Sequence, residues 1–394
     1  MNLGSMKVKR EREEHKKVHY FDYSLVAIVI FLLCFGLIML YSASSYSAQV
    51  ENGNSMHYLF RQAFFSAVGF CGMIIISKID YHRFAKWAKW AYIFSFIAMA
   101  LVLTPLGKEV NHSRRWIRLP FNQSMQPSEF AKIAVIIFIP ALLCYAAKKL
   151  DDKYAYIKVF SAGVGAFLGV FILTDNLSTA IIVLGISCVM IFIAHPKTAR
   201  FFGLGALGVV LVAVAVKIIE EYTKRREEYN FRLNRILVWL HPEQHLDNGG
   251  YQVMQGLYAV GSGGFFGKGL GNSAQKMVIP EAQNDMILAI ICEELGVFGV
   301  IVLFTMFGIL LHRLLYIAKH APDRYGFLMV TGIFAHVALQ VVLNVAVVLN
   351  VIPTTGITLP FVSYGGTSTL FLMVEMGIAL SVSNRIEFDV PEET

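Results

Sequence analysis

Long apolar stretches, separated by mostly short polar connections, make up most of the chain. A helix needs roughly 20 apolar residues to cross the hydrocarbon core of a membrane. Ten stretches approach that length, at about 22–45, 58–77, 87–106, 129–147, 158–174, 177–194, 201–219, 286–311, 326–350 and 364–383. The pattern predicts an all-α polytopic membrane protein with ten transmembrane helices and one long loop, 219–285, between helices 7 and 8.

Composition favours a membrane protein over a soluble one. Of the 394 residues, 56% are hydrophobic and only 15% are charged, whereas soluble domains have about 25% charged residues. The cysteines all fall within the apolar stretches, so we expect buried thiols and no disulfide framework. They are Cys34, Cys71, Cys144, Cys188 and Cys292. The first stretch is too long for the core of a signal peptide, so we expect it to remain as a span.

The basic residues predict the orientation, because Lys and Arg near the spans favour the cytoplasmic side. More than half of the 34 basic residues lie in the N-terminal tail, in the alternate connections that share its side, and in the C-terminal tail. We therefore expect a multi-pass protein of the bacterial cytoplasmic membrane, with cytoplasmic tails at 1–21 and 385–394. The membrane domain would be 22–384, with 219–285 extracellular. The net charge of +7 largely reflects this bias, and no motif indicates nucleic-acid binding.

A compact basic cluster runs against that bias. Arg114, Arg115 and Arg118 accompany Trp116 in a short connection on the predicted outer side. Guanidinium groups bind phosphate oxygens in a bidentate manner. The cluster therefore indicates an anionic ligand at the outer membrane surface.

Charged residues also occur at the ends of spans, where they usually face a partner or a cavity. Glu129 and Lys132 are three residues apart and share a helix face, so they form either an internal ion pair or a polar cavity wall. Asp175 lies in a short outward turn, where turn chemistry alone is a sufficient reason for it. Asp285 stands at the outer end of the eighth stretch, and "LPFVSYGGTS", with Ser363, opens the last one.

The long loop contains three distinguishable segments. "EEYNFRLNRILVWLH" has helical apolar spacing and predicts an amphipathic helix, either at the membrane interface or docked on the protein. "YQVMQGLYAV" suggests a short helix. "GSGGFFGKGLGNS" is not a P-loop, because Gly267 and Lys268 are followed by Gly269. We expect a flexible or ligand-approaching re-entrant loop there.

Several motifs together resemble the SEDS family (shape, elongation, division and sporulation). They are "GLIMLYSASS", "SRRWIRL", "QPSEFAKIA", "GGYQVMQGLYAVGSGGFFGKGLGNSAQK", "PEAQNDMILAIICEELG" and "GITLPFVSYGGTS". The likeness covers the membrane region in the right order. "GLIMLYSAS" and "TTGITLP" are more similar to the FtsW and SpoVE branches than to the RodA branch.

The resemblance implies a ten-helix peptidoglycan glycosyltransferase that polymerises lipid II outside the membrane. It implies work in cell division with a class B penicillin-binding protein and other divisome proteins. Asp285 would be the catalytic base, and the substrate-binding residues would be Arg114, Arg115, Glu129, Lys132, Asp175 and Ser363. Two departures are "TDNLSTA", which weakens the role of Asp175, and Gln283-Asn284 in place of His-Thr before the catalytic acid.

The resulting hypothesis is an inverting transfer, with arginines stabilising the pyrophosphate leaving group. The transfer is assisted either by the arginines alone or also by a divalent cation (Mg or Mn), for which no protein ligands are assigned. No organic cofactor is expected. Glu293 and Glu294 lie too deep to share the base role and are expected to be paired or protonated. The alternatives are a RodA-like elongation polymerase and a lipid II flippase. A scaffold that only recruits other enzymes would leave the inward-pointing charges unexplained.

Overall fold

The structure is a computed structural model that describes residues 15–110, 113–120, 123–147, 153–195, scattered positions between 203 and 218, and 231–391. The helices are α1 (Tyr23–Asn52), α2 (His57–Lys78), α3 (His82–Ala100), α4 (Pro127–Ala147), α5 (Lys153–Thr174), α6 (Leu177–Ala194), α7 (Phe231–Leu240), α8 (Gly250–Ser262), α9 (Ile287–Lys319), α10 (Arg324–Val348) and α11 (Gly366–Ser383). The strands are β1 (His15–Tyr20), β2 (Gly107–Val110), β3 (Ser113–Leu119), β4 (Gln123–Met125) and β5 (Ile386–Pro391).

Within the described part of the chain, nine helices are long and apolar enough to cross a membrane. They are α1 to α6 and α9 to α11, which correspond to nine of the ten predicted stretches. The predicted seventh span, 201–219, lies mostly outside the described residues, so the count of ten stays a prediction. The all-α polytopic membrane architecture is confirmed.

Helix backbones approach each other closely where a glycine lies at the contact. At Gly377 of α11, an added Cβ would lie 2.8 Å from the carbonyl oxygen of Met73 in α2. Small residues at such points let helix backbones approach, which is how membrane helices gain contact where lipid removes the hydrophobic driving force. Large apolar side chains occupy both environments: Met73 and Phe307 are buried in the core, whereas Phe64 and Trp87 point outward.

Two small antiparallel sheets stand at opposite ends of the molecule. The strands β2, β3 and β4 form one sheet, with β3 in the middle, where the sequence indicated only a short connection. The terminal strands β1 and β5 form the other, and Tyr20 is opposite Ile386. The two described chain ends therefore lie next to each other.

The glycine-rich segment after α8 folds back against α9 and interrupts it. Gly296 has φ +64, outside helical values, and divides α9 into two parts. Beside this break, the backbone N–H of Lys268 donates to the carbonyl of Glu293 at 2.9 Å. This segment is called the re-entrant segment below because it turns back onto α9. Its residues do not line the cavity described below, and an approach to the ligand stays a prediction.

Glu293 and Glu294 are fully buried and paired, as expected. The ammonium group of Lys268 lies 2.5 Å from a carboxylate oxygen of Glu293. The hydroxyl of Ser42 in α1 donates to Glu294 at 2.6 and 2.7 Å, and Lys276 approaches the same carboxylate at 3.5 Å. Both acids therefore hold the re-entrant segment and α1 against α9.

The five cysteines are free thiols, and none forms a disulfide. The expectation that all are buried is wrong for Cys34 and Cys71, which are exposed on the outer faces of α1 and α2. An apolar stretch in the sequence does not distinguish a helix face that contacts lipid from one that contacts protein.

Candidate active site

A cavity of about 680 Å³ opens where one end of the helix bundle meets the three-stranded sheet. Its walls come from the N-terminal turns of α2, α4, α6 and α11, from the sheet, and from α7 and α8. The segment before α9, Gln340 of α10 and the connection 355–358 complete the lining. The described lining includes five basic and three acidic side chains, which gives an excess of positive charge. They are Arg61, Lys108, Arg115, Lys132, Arg235, Glu129, Glu281 and Asp285.

Asp285 is half-buried in the cavity wall, two residues before the first residue of α9. Burial raises the pKa of its carboxyl group from 3.8 to about 6, with Glu281 adding to the rise and Arg235 opposing it. A carboxylate with a pKa near 6 is deprotonated at neutral pH and is a better proton acceptor than an ordinary aspartate. Such tuning by desolvation is typical of a general base.

Glu129 and Lys132 form a buried ion pair, with a carboxylate oxygen 2.9 Å from the ammonium nitrogen. Both residues also line the cavity. The two alternatives left open by the sequence, an internal ion pair and a polar wall, are therefore both realised by the same pair.

The arginine cluster separates across β3. Arg115 lines the cavity, whereas Arg114 is exposed outside the lining and pairs with Glu109 at 3.4 Å. The pairing of β2 with β3 shifts at this point: Arg114 is opposite Glu109 and Trp116 is opposite Lys108, so Arg115 is an extra residue in β3. Such a bulge redirects a side chain, so neighbouring arginines need not share a site. Arg118 is also exposed and outside the lining.

Two further predicted site residues lie beside the cavity rather than in its lining. Asp175 is exposed in the turn before α6, with φ +49, and it is the next residue, Asn176, that lines the cavity. Ser363 is buried, and its hydroxyl accepts a hydrogen bond from the Leu359 N–H at 2.8 Å. Substrate roles for Asp175, Ser363 and Arg114 stay predictions.

Comparison with known proteins identifies the family to which this chain belongs. Residues 23–387 match the family model for FtsW, RodA and SpoVE, described as cell cycle protein. The chain belongs to this family. It is 35% identical to a probable peptidoglycan glycosyltransferase FtsW of Geobacter sp. (strain M18), over 94% of this chain and 99% of the relative. It is 38% identical to stage V sporulation protein E of Bacillus subtilis (strain 168), over 92% and 96%.

Solved structures of the family have the same fold. One similar chain, from a peptidoglycan synthase complex whose structure concerns coordination of polymerization and crosslinking, gives a TM-score of 0.72 at 26% identity. The match covers 92% of this chain and 97% of that one. RodA of Thermus thermophilus gives a TM-score of 0.65 at 24% identity, over 94% and 98%, and supports the fold alone.

Several polar residues of the cavity were not among the predicted site residues. Arg61 and Lys108 are not conspicuous in the sequence, because single basic residues near the ends of spans are common. Arg235 lies in α7, where it donates to the carbonyl of Thr354 at 3.3 Å. Trp239 donates to the carbonyl of Asn350 at 3.0 Å, so α7 is docked on the protein, one of the two alternatives. An arginine off the apolar stripe of an amphipathic helix was the available signal.

The described side chains do not form a set of metal ligands. Across the described ranges, no group of three or more His, Cys, Asp or Glu side chains is placed to hold a metal ion. A divalent cation stays a prediction, and no step of the mechanism below depends on one.

Proposed function

We propose that this chain is a peptidoglycan glycosyltransferase that polymerises lipid II at the outer face of the cytoplasmic membrane. The observation that carries the proposal is Asp285, a carboxylate with a raised pKa in a cavity where basic side chains outnumber acidic ones. The family membership and the names of the relatives, at 35% and 38% identity, support the same activity.

Asp285 acts as general base on the acceptor hydroxyl. Its carboxylate takes the hydroxyl proton while the acceptor oxygen attacks the anomeric carbon of the donor sugar. The bond from that carbon to the pyrophosphate oxygen breaks, and the lipid pyrophosphate leaves with the electron pair. Attack on the opposite face inverts the anomeric centre. One carboxylate suffices, because pyrophosphate is a good leaving group that needs no strong acid.

The basic side chains stabilise the negative charge that develops on the leaving group. Lys108 and Arg115 reach the cavity from the sheet. Arg61 reaches it from α2, and Arg235 reaches it from α7. Groups placed in advance where charge develops stabilise a transition state without further reorganisation. Lys132 is engaged by Glu129, so we assign that pair to shaping the wall and binding polar groups of the sugar.

A class B penicillin-binding protein is the proposed partner, with other divisome proteins around it. A similar chain of known structure belongs to a peptidoglycan synthase complex, and names containing FtsW recur among the relatives. These names support a role in division over elongation. The cavity and the terminal sheet lie at opposite ends of α11, which supports cytoplasmic termini and an outward-facing site.

Labelled lipid II in detergent tests the proposed activity. The purified chain, alone and co-purified with its transpeptidase partner, is incubated with the substrate, and the products are separated on a gel. A glycosyltransferase makes polymer without a membrane to cross, and we expect more of it from the complex. A lipid II flippase makes none, so the absence of polymer from both preparations would overturn the proposal.

A further inference from the structure

A fully buried amide, Asn344, lies in α10 behind the cavity. Its exposed fraction is 0%, and burying a polar group inside a membrane helix is costly unless it is hydrogen-bonded. Its nitrogen Nδ2 donates to the backbone carbonyl of Asp285 at 2.9 Å and to that of Ile357 at 2.7 Å. Its oxygen Oδ1 has no hydrogen-bond partner among the described residues. The amide is therefore oriented by its two N–H groups alone.

Those two carbonyls belong to the two segments that meet at the proposed base. Asp285 precedes α9, and Ile357 lies in the connection between α10 and α11. A third hydrogen bond, from the Tyr364 N–H to the Gln283 carbonyl at 2.9 Å, joins the same segments. Asn344 thus stands between the turn that bears the carboxylate and the segment that forms the adjacent wall.

Gln340, one helical turn earlier, provides an internal comparison. Its nitrogen Nε2 donates to the carbonyl of Thr358 at 2.9 Å, so it holds the same connection. No hydrogen bond joins its amide nitrogen to Asp285 in the described structure. Both amides brace one wall of the cavity, but only Asn344 also holds the main chain of Asp285.

We propose that Asn344 is a positioning residue for the transfer reaction, holding the main chain of Asp285 so that its carboxylate stays at the acceptor hydroxyl. This inference rests on the proposed function. Asp285 precedes the first residue of α9, so it lies outside the regular hydrogen bonds of that helix. The Asn344 side chain supplies a hydrogen bond to its carbonyl instead. A misplacement of about 1 Å in a catalytic group can cost on the order of 10²-fold in rate.

The same hydrogen bond from Asn344 keeps the Asp285 carboxyl group partly shielded from water. The charged groups that face the cavity with it come from several elements. They are Arg61 from α2, Lys108 and Arg115 from the sheet, Glu129 and Lys132 from α4, Arg235 from α7, and Glu281 from its own turn. Removing the Asn344 amide leaves these groups in place. A change in the titration of Asp285 would then report its movement toward water.

The test compares Asn344→Ala with Gln340→Ala in the full chain co-purified with its partner. The rate of lipid II polymerisation is measured against substrate concentration and against pH. For Asn344→Ala we expect kcat to fall on the order of 10²-fold with KM changed less than about twofold. The acid limb of its pH profile should move below the wild-type midpoint of about 6, toward the ordinary aspartate value of about 3.9. Gln340→Ala should keep the wild-type acid limb.

Unchanged kcat and an unchanged acid limb in Asn344→Ala would overturn the positioning role, as would an equal loss in both variants with neither acid limb moved. If Asn344→Ala does not co-purify with the partner, Asn344→Leu replaces it, because it keeps about the same side-chain volume, removes the amide donors and adds no charge beside Asp285. The same outcomes then decide. Asp285→Asn, run alongside, separates the two proposals. If it is active, the base assignment and this inference both fail. If it is inactive while Asn344→Ala behaves as wild type, only the inference fails.

Discussion

The carboxyl group of Asp285 connects the electrostatics of the cavity to a pH-dependent rate. Burial raises its pKa to about 6, and a base must be deprotonated to accept a proton. Polymerisation by the wild-type chain should therefore fall as pH decreases through about 6, while the fold persists. Initial rates between pH 5 and 8, corrected for reversible loss by returning samples to pH 7.5, measure this. A rate that is flat down to pH 5 would contradict the assignment.

Asp285→Asn keeps the size and polarity of the side chain but removes the base. General-base catalysis contributes on the order of 10²–10⁴-fold, so we expect polymer to fall close to background on a gel. Stability should not suffer. Because the folded-state pKa is higher than the unfolded one, the wild-type chain loses stability as pH rises from about 3.8 to about 6, and Asn removes that cost at neutral pH. Wild-type polymer yield from this variant would direct attention to Glu129 or Asp175.

Arg115 and Arg114 are neighbours on β3 with different surroundings, which makes them a matched pair. Arg115→Ala removes a positive charge from the cavity and should weaken binding of the pyrophosphate group. KM should therefore rise, and extra lipid II should restore part of the rate. Arg114→Ala removes an exposed side chain paired with Glu109 and should change KM less. Substrate titrations of both variants measure the difference. Equal effects would mean that substrate extends over the outer face of the sheet.

Among the elements, α9 and the re-entrant segment depend on one backbone conformation. Gly296 has φ +64, and a Cβ there would lie 2.4 Å from the amide nitrogen of Gly267. Gly296→Ala should destabilise the protein by more than about 1 kcal/mol, because alanine disfavours positive φ and lacks the space. Gly308→Ala, in the same helix with nothing within 4 Å of its Cβ, is the control. Thermal unfolding in detergent should separate them, and equal midpoints would contradict this account of the break.

For the whole molecule, the predicted topology places the loop that precedes Asp285 outside the cell. A cysteine at Asn248, in a chain without its native cysteines, should react with an impermeant thiol reagent on intact cells. A cysteine in the N-terminal tail should react only after the membrane is opened. The native thiols are removed so that the introduced cysteine is the one thiol that can react. The reverse labelling would invert the molecule and place the cavity in the cytoplasm.

Much of the fold is predictable because lipid imposes a simple rule. A membrane-spanning helix must satisfy its own backbone hydrogen bonds over about 20 apolar residues. Nine described helices match the predicted stretches for that reason. The position of Asp285 was also predictable, because a charge at the end of an apolar stretch is conspicuous. The three-stranded sheet was not, because its strands are short and the pairing partners, β2 with β3 and β3 with β4, are defined only by the folded connection.

The sequence by itself determined the membrane architecture, the family resemblance and the proposed base. Only the tertiary structure decided which charges share a cavity. The bulge in β3 at Arg115 separates its side chain from that of Arg114, and α7 brings Arg235 to the wall. It also decided that Asn344 holds Asp285, 59 positions away along the chain. Hydropathy records whether a residue can enter a membrane, whereas the partner of a buried polar group depends on how distant helices pack.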